Sequence, residues 1–260
     1  MFTYMTTRGQ CIWSRMAIRP FSFTLNREIQ KQTAKGWTNM FMDELFGVEM
    51  HSGAGVTCTP PSASGSLLHV SQTEALGTML SRSLQNEPSF VYIMPDERAR
   101  RVILPWFFQM VAIPAGCLFG EIWTTSQIDG ASLWIRPGSG FSFERMIRNA
   151  MQWMPLDQAS LRRWINLGAR LEKARRRLAL GPHWYLLALG VEPLIDRCAL
   201  GGLLTEPVLS RADSDKIPCY VEIFDERDFC FYERLGFRVE GAGNIPHGGP
   251  SFWTMIRAPK

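Results

Sequence analysis

The sequence lacks the patterns of a metal site and of a disulfide framework. Its six cysteines are scattered through 260 residues with no C-x-x-C pair, and its four histidines are equally dispersed. Zinc sites and small disulfide-stabilised folds both depend on closely spaced ligands or cysteines. We therefore expect no bound metal, and cysteines that stay reduced as intracellular thiols.

Long apolar runs are also missing, and the charge is nearly balanced. No segment reaches the ~18–20 apolar residues that span a bilayer, so no membrane role is expected. The 28 Lys and Arg residues against 24 Asp and Glu give a net charge of +4, which an anionic cofactor or a nucleic acid could explain equally well. Because no aromatic-interleaved or glycine-rich basic element is present, no nucleic-acid partner is expected.

The first 66 residues differ in composition from the rest of the chain. Six basic residues and one acid lie within the first 35 positions, a bias that resembles a mitochondrial presequence but that a disordered tail also shows. Residues 52–66 combine Gly, Ser, Thr and a Pro pair, as linkers do. We expect a disordered extension and linker over 1–66 and one domain over 67–260, located in the cytoplasm, or in mitochondria if the extension is a presequence.

Two helices are predicted at the start of this domain. Ser71 and Glu74 form a capping-box signature that precedes leucines at helical spacing. Residues 95–110 open with a Pro and acids before basic and apolar residues, which predicts a second helix. Pro105 must bend or interrupt it, because proline lacks a backbone N–H.

A hairpin and a long helix follow. Asp129-Gly130, a dipeptide favoured in tight turns, separates two short apolar runs within 120–138 and predicts two antiparallel strands. Residues 156–180 repeat apolar side chains at helical spacing and carry basic residues elsewhere, which predicts an amphipathic helix with a basic exposed face.

A β-α-β unit is predicted next. Residues 183–191 are nearly all apolar, as in a strand covered on both faces, and Gly190 permits a bulge at the strand end. Residues 202–212 show helical spacing, and 219–225 return as a parallel strand. The connecting loop 192–202 then lies at the amino end of a helix, where free amides and the helix dipole suit a pyrophosphate.

The segment after the second strand predicts a short helix. Asp225 is placed to cap it and Asp228 lies in its first turn. Phe229, Tyr232 and Leu235 share one helical face, and Gly236 is placed to end the helix. Phe237 is predicted to begin another strand.

These two segments, VEPLIDRCALGGLLTEPVL and PCYVEIFDERDFCFYERLGF, resemble the acetyl-CoA loop and the C-terminal F-Y-E-R-x-G-F segment of GNAT N-acetyltransferases, particularly the puromycin N-acetyltransferase-like group. The resemblance extends from about Leu67 to Arg257. It implies an α+β GNAT fold, a mixed central sheet flanked by helices, whose β-α-β core binds acetyl-CoA as a cosubstrate. It also implies direct acetyl transfer, within a ternary complex, to an amine of a small molecule such as a toxin, antibiotic or secondary metabolite.

The resemblance also implies roles for individual residues. Tyr232 stands where the family's tyrosine protonates the departing thiolate, although its ring could equally pack in the core. Glu222 is the first candidate for the base, with a purely structural acid as the alternative and with His183 and Glu121 as further candidates. Backbone amides at the end of the first strand would polarise the thioester carbonyl. The residues expected to contact the cofactor are Leu189, Gly190, Val191, Arg197, Cys198, Ala199, Leu200, Gly201, Gly202, Asp225 and Asp228.

The loop departs from the family pattern at three positions. Asp196 replaces a Gln or Arg, and Arg197 and Ala199 replace glycines, while Gly201 is kept. A carboxylate beside a diphosphate is repelled by about 1 kcal/mol at 4 Å in water, and a Cβ at Ala199 hinders close backbone approach. Two alternatives therefore stay open: a degenerate GNAT used for binding or regulation, and a peptide or protein N-acetyltransferase. The sequence leaves the oligomeric state open.

Overall fold

A computed structural model describes residues 2–7, 10–15, 70–150, 156–178 and 181–260 of the chain. The first two segments are strands β1 (Phe2–Thr7) and β2 (Gln10–Arg15), which pair as an antiparallel hairpin. The predicted linker and domain boundary lie outside the described residues.

Two helices at the start of the domain lie close to their predicted positions, and two further helices and a π-helical turn were not predicted. They are α1 (Val70–Leu84), α2 (Pro88–Ile93), α3 (Glu97–Phe107), a π-helical turn (Phe108–Ala112) and α4 (Ile113–Phe119). Helix α1 begins one residue before the predicted cap, Ser71. Asp96 caps α3 by accepting a 3.0 Å hydrogen bond from the Arg98 amide. The irregularity predicted from Pro105 takes the form of the π-helical turn, where the Phe108 amide is shared between two carbonyls.

Helices α3 and α4 and the turn between them form one rod, Glu97–Phe119, which is long and apolar enough to cross a membrane. The expectation that no segment reaches this length was therefore wrong. Half of its most apolar window is buried inside the domain. Leu104, Phe108 and Val111 belong to the main hydrophobic core. The rod therefore packs as the core helix of this domain.

Among the described residues, six strands form a mixed sheet in the order β3-β4-β5-β6-β8-β7, which confirms the predicted fold class. Its strands are β3 (Gly120–Thr124), β4 (Gly130–Ile135), β5 (Trp184–Val191), β6 (Cys219–Ile223), β7 (Arg238–Asn244) and β8 (Ser251–Arg257). Only the β5–β6 pair is parallel within this sheet. The predicted strand pair β3–β4 is confirmed, but Gly130 is the first residue of β4, and residue 128 of the preceding turn takes the positive φ.

Helices cover both faces of the sheet. The remaining helices are α5 (Phe143–Ala150), α6 (Gln158–Arg177), α7 (Arg197–Asp215), a 3-10 turn (Glu226–Asp228) and α8 (Phe229–Arg234). Neighbouring side chains of a strand point to opposite faces, so Leu133 joins the core beneath α1 to α6, whereas Trp134 joins the core beneath α7 and α8.

The β-α-β unit is confirmed, with one correction. The prediction of a loop over 192–202 was wrong in its second half, because α7 begins at Arg197. Asp196 causes the early start: its carboxylate accepts hydrogen bonds from the amides of Cys198 and Ala199, at 2.9 and 3.2 Å. The predicted glycines of the loop are therefore residues of the helix.

Strands β5 and β6 pair at only two positions, Trp184 with Cys219 and Tyr185 with Tyr220. Beyond these positions no residues of the two strands pair, so the sheet opens towards their carboxyl ends. The register of β5 against β4 also shifts, leaving Leu187 with no partner on β4. A bulge thus lies three residues before Gly190, where the sequence permitted one.

Candidate functional site

A cavity of about 120 Å³ occupies the opening between β5 and β6. Residues Leu186 to Leu189 and Val221 to Phe224 line it from the two strands. Helices α2, α3, α5 and α6 and the π-helical turn contribute an apolar wall that includes Phe90, Phe107, Phe108, Phe143 and Trp164. The lining also includes polar side chains, among them Glu87, Arg197, Glu222, Asp228 and Tyr232. The cavity thus combines a large apolar wall with a small polar group.

Tyr232 is positioned by α8, the short helix that follows β6. Its side chain is 4% exposed, and its ring lies 5.0 Å from that of Phe231 and 5.7 Å from that of Phe237, centroid to centroid. Burial raises the pKa of the Tyr232 phenol, with Arg197 opposing the shift. At neutral pH the phenol therefore keeps its proton and can donate it. The Tyr232 ring thus packs in the core, while its predicted role as an acid stays a prediction.

Two arginine–aspartate pairs lie beside Tyr232. Arg197 contacts Asp228 at 2.8 Å, and Arg227 Nε contacts Asp225 at 2.9 Å. Asp225 also caps the 3-10 turn by accepting from the Arg227 amide. Burial raises the pKa of Asp228, and Arg197 opposes this. Both aspartates predicted to contact the cofactor are thus held by cations of this chain.

Glu87 is a site residue that the sequence analysis did not identify. It stands at the amino end of α2, yet its side chain forms no capping hydrogen bond and lines the cavity instead. Burial and then the charge of Asp228 raise the pKa of Glu87 to about 7, while Arg197 opposes the shift. Among the described residues, Glu87 makes none of the ion pairs that hold Asp225 and Asp228. Only a Glu-Pro dipeptide before a helix marked it in the sequence.

Glu222, the predicted base, also lines the cavity, but its carboxylate has partners. The Tyr220 hydroxyl donates to Glu222 Oε1 at 2.9 Å, and Tyr185 donates to the same carboxylate. Arg175 lies 5.0 Å from the centre of the Tyr185 ring. Burial raises the pKa of Glu222, with Arg175 opposing. The carboxylate is therefore the acceptor of a buried hydrogen-bond network.

The two further candidates for the base do not line this cavity. His183 Nδ1 lies 2.8 Å from the carbonyl oxygen of Gly181. Glu121 accepts a hydrogen bond from Trp123 Nε1 and forms ion pairs with Arg136 and Arg211. Both side chains have partners outside the candidate site.

The first turn of α7 is already occupied by an anion of the chain itself. The amides of Cys198 and Ala199 donate to the Asp196 carboxylate, and that of Leu200 donates to the Asp196 carbonyl. Gly201 permits close packing, because a Cβ there would come within 3.0 Å of the Phe231 ring, whereas a Cβ at Gly202 would touch nothing. The predicted pyrophosphate site is thus capped internally.

The end of β5 is held by α1. The Val191 amide donates to Ser83 Oγ at 2.9 Å, and a Cβ at Gly190 would come within 2.8 Å of Leu80. Leu187, at the bulge, and Leu189 line the cavity. The Val191 amide is one of the strand-end amides predicted to polarise the thioester carbonyl. It therefore already donates to an acceptor within the protein.

No group of three or more His, Cys, Asp or Glu side chains within the described ranges could hold a metal ion. Cys198, Cys219 and Cys230 are free thiols. The chemistry available at the cavity is therefore that of carboxylates, a phenol and paired guanidinium groups.

Comparison with known proteins identifies the fold. No protein-family model matches the chain. An agmatine N-acetyltransferase is 16% identical, with a TM-score of 0.50 over 74% of this chain and 96% of that one. An arylalkylamine N-acetyltransferase from Aedes aegypti is 11% identical, with a TM-score of 0.50 over 74% and 97%. A structure described as a histone acetyltransferase and related acetyltransferase, from Corynebacterium glutamicum, is 18% identical, with a TM-score of 0.51 over 77% and 95%. The domain therefore has the GNAT fold.

Proposed function

We propose that this protein is an acetyl-CoA-dependent N-acetyltransferase of small-molecule amines and belongs to the puromycin N-acetyltransferase-like group of the GNAT superfamily. One observation carries the proposal: a buried phenol and a carboxylate without an ion pair, Tyr232 and Glu87, line the same cavity at the opening of the sheet. Amine acetylation needs a proton acceptor and a proton donor at one place. The resemblance to agmatine and arylalkylamine N-acetyltransferases supports a small amine as the acceptor.

Glu87 is the proton acceptor in this proposal. The incoming ammonium gives one proton to the Glu87 carboxylate, and the neutral amine attacks the thioester carbon. The carbon–sulfur bond then breaks, and the thiolate takes the phenolic proton of Tyr232. The nitrogen of the new amide still carries one excess proton, which it gives to the Tyr232 phenolate. CoA therefore leaves as a thiol, and Glu87 releases its proton to solvent.

Glu222 has a different position in this scheme. Because the phenols of Tyr185 and Tyr220 donate to it, its carboxylate is already engaged as a hydrogen-bond acceptor inside the protein, whereas Glu87 forms no capping hydrogen bond and lines the cavity. The sequence-based prediction of Glu222 as the base stays a prediction, and comparison of Glu222→Gln with Glu87→Gln separates the two assignments.

The amino end of α7 is the proposed site for the CoA pyrophosphate. Arg197 supplies positive charge there, and residues 189–191 and 198–202 surround the same corner of the sheet. The Cys198 and Ala199 amides become available only when the Asp196 side chain turns away from them. Binding of the pyrophosphate therefore requires the Asp196 carboxylate to leave the two amides that it caps.

A second candidate function is a GNAT-fold binding protein that no longer takes acetyl-CoA. The internal cap formed by Asp196 favours it. Calorimetry with acetyl-CoA separates the two: the proposed enzyme gives a saturable heat. Absence of heat at millimolar acetyl-CoA would refute the acetyltransferase proposal.

A further inference from the structure

The Val191 amide points into the opening between β5 and β6. Successive amides of a strand point to opposite edges of that strand. The Glu192 amide donates to the Asp129 carbonyl, just before β4, at 2.8 Å, so the Val191 amide points to the edge that faces β6. The described residues of β6 pair with β5 only as far as Tyr185, which leaves this edge of the sheet open at Val191.

Ser83, in the last turn of α1, accepts the hydrogen bond of this amide. The Val191 N–H donates to Ser83 Oγ at 2.9 Å. Gly190 allows the close approach, because a Cβ there would come within 3.1 Å of Ser83 Oγ and 3.2 Å of its Cβ. The neighbouring Arg82 forms an ion pair with Glu192 at the same junction. The serine oxygen is thus fixed on the open edge of β5.

The proton of the Ser83 hydroxyl has no acceptor in the part of the chain that the structure describes. A serine hydroxyl can accept and donate at the same time, and the bond that it accepts from an amide polarises its O–H group and strengthens it as a donor. Ser83 is only half-buried. Leu84, the next residue, and Leu189, on the same strand as Val191, line the cavity. The hydroxyl is therefore an available donor at the border between the cavity and the proposed cosubstrate site.

We propose that the Ser83 hydroxyl donates a hydrogen bond to the thioester carbonyl oxygen of acetyl-CoA and stabilises the negative charge that this oxygen gains when the amine attacks. The inference rests on the proposed function, and it moves the polarising role from the Val191 amide to the serine that this amide orients. Ser83 keeps its proton throughout, so the step adds no bond change to the transfer. A donor fixed in advance strengthens as charge develops, and it therefore contributes more to kcat than to the affinity for acetyl-CoA.

Ser83→Ala in the full chain tests this by removing the hydroxyl. We expect kcat, measured by thiol release with a panel of apolar primary amines, to fall about 100-fold, as it does when one donor to an oxyanion is lost. The affinity for acetyl-CoA, measured by calorimetry, should change about 3-fold or less. Infrared spectra of acetyl-CoA labelled with carbon-13 at the thioester carbonyl give a direct readout. The bound carbonyl should absorb at lower frequency in the wild type than in Ser83→Ala, because a hydrogen bond weakens the carbon–oxygen double bond.

Arg82→Met is the matched control. It breaks the other contact between the last turn of α1 and the end of β5, the ion pair with Glu192, but it leaves the Ser83 hydroxyl in place. This variant should keep both kcat and the carbonyl frequency of the wild type. Ser83→Cys is a second variant of similar shape, whose S–H group is a weak donor. Its carbonyl band should lie between those of the wild type and Ser83→Ala, which gives a result even if the alanine variant does not fold.

An unchanged carbonyl band in Ser83→Ala overturns the inference, and thiol release by the wild type then still upholds acetyl transfer. A large gain in acetyl-CoA affinity in Ser83→Ala also overturns it, because the serine would then only compete with the cosubstrate for the Val191 amide. Equal losses of kcat in Arg82→Met and Ser83→Ala would assign the effect to the junction of α1 with β5 and likewise contradict the inference. If acetyl-CoA does not bind to the wild type, both the inference and the proposed function fail.

Discussion

Glu87 and Glu222 line the same cavity, yet their neighbours give the two carboxylates different chemistry. Glu222 accepts hydrogen bonds from two phenols, whereas Glu87 faces the charge of Asp228 and forms no capping hydrogen bond. A base that works near neutral pH needs a pKa near that pH. At the scale of single residues, Glu87 meets this requirement.

Replacing Glu87 by Gln should lower kcat/KM about 100-fold, because the amide cannot take a proton. In the wild type, kcat/KM should rise as the pH rises through about 7, the pKa of Glu87, since only the carboxylate accepts. The pH–rate profile measures both effects. Glu222→Gln is the control and should retain the rise near pH 7; loss of that rise in Glu222→Gln and its survival in Glu87→Gln would reverse the assignment.

The same residue affects stability. The pKa of Glu87 is raised in the fold from 4.5 to about 7, so between these pH values the native state binds more protons than the unfolded state. The free energy of unfolding should therefore fall as the pH rises through this window, by about 2 kcal/mol after allowance for partial solvation. Urea titrations at pH 5 and pH 8 should show this fall in the wild type and a smaller one in Glu87→Gln.

At the scale of elements, the amino end of α7 decides how strongly the proposed cosubstrate binds. Asp196 occupies two first-turn amides, and a diphosphate would need the same donors. The Asp196 cap thus stabilises α7 and weakens the binding of an anion at the amino end of this helix.

Asp196→Gly should therefore tighten acetyl-CoA binding about 5- to 10-fold, because it removes a negative charge worth about 1 kcal/mol at close range. The cost to α7 should be small, since glycine is itself an acceptable cap. Calorimetry measures the affinity. Asp157→Gly removes the corresponding cap of α6 and should leave the affinity unchanged; an equal gain in both variants would show that the effect is not specific to α7.

One buried arginine holds the chain segments that precede and follow α2. Arg100 is 5% exposed and donates to the carbonyl oxygens of Gln85, Met94 and Pro95 at 2.9, 2.7 and 2.9 Å. The first of these carbonyls lies two residues before Glu87. Arg100 thus holds the segment that carries the proposed base.

Arg100→Met should lower the free energy of unfolding by about 3 kcal/mol, because three carbonyls lose a charged donor. Arg101→Met removes a neighbouring arginine that pairs with Glu97 on the exposed face of α3, and it should cost about 0.5 kcal/mol or less. Denaturant titration compares the two. Equal losses would contradict the structural role of Arg100.

At the scale of the whole molecule, a partly buried ion pair joins the last strand to α7. Arg257 of β8 contacts Asp213 of α7 through two hydrogen bonds, at 2.7 and 2.6 Å, and also donates to the Leu235 carbonyl. The hydrogen bond from Arg257 lowers the pKa of Asp213 to about 2. The pair ties the carboxyl end of the chain to the β-α-β unit.

The pair should stabilise the fold only while Asp213 is ionised. Its contribution, about 1 kcal/mol after allowance for solvent screening, should be present above the ordinary aspartate pKa of 3.8 and should disappear as the pH falls towards 2. Asp213→Asn should accordingly be less stable than the wild type at pH 7 and nearly equal to it at pH 2. A difference that persists at pH 2 would assign the loss to packing.

Local patterns predicted those parts of the molecule that depend on neighbouring residues. Hydrophobic periodicity and the residues that begin or end helices and strands were sufficient for four elements. These are helix α6, the β-α-β order, the β3–β4 strands and the short helix that ends before Gly236. The start of α7 was missed because Asp196, treated as a departure from a family pattern, acts as a cap. Glu87 and Trp164 could not be found in this way, because the cavity they share arises from helices distant in sequence that meet where β5 and β6 separate.

The most direct test of the account is thiol release from acetyl-CoA in the presence of a panel of apolar primary amines, measured for the wild type and for Tyr232→Phe. We expect at least one amine to release CoA in stoichiometric proportion to its acetylated product, and Tyr232→Phe to lower kcat about 10- to 100-fold with an unchanged melting temperature. Release at the wild-type rate by Tyr232→Phe, or no amine-dependent release by the wild type, would contradict it.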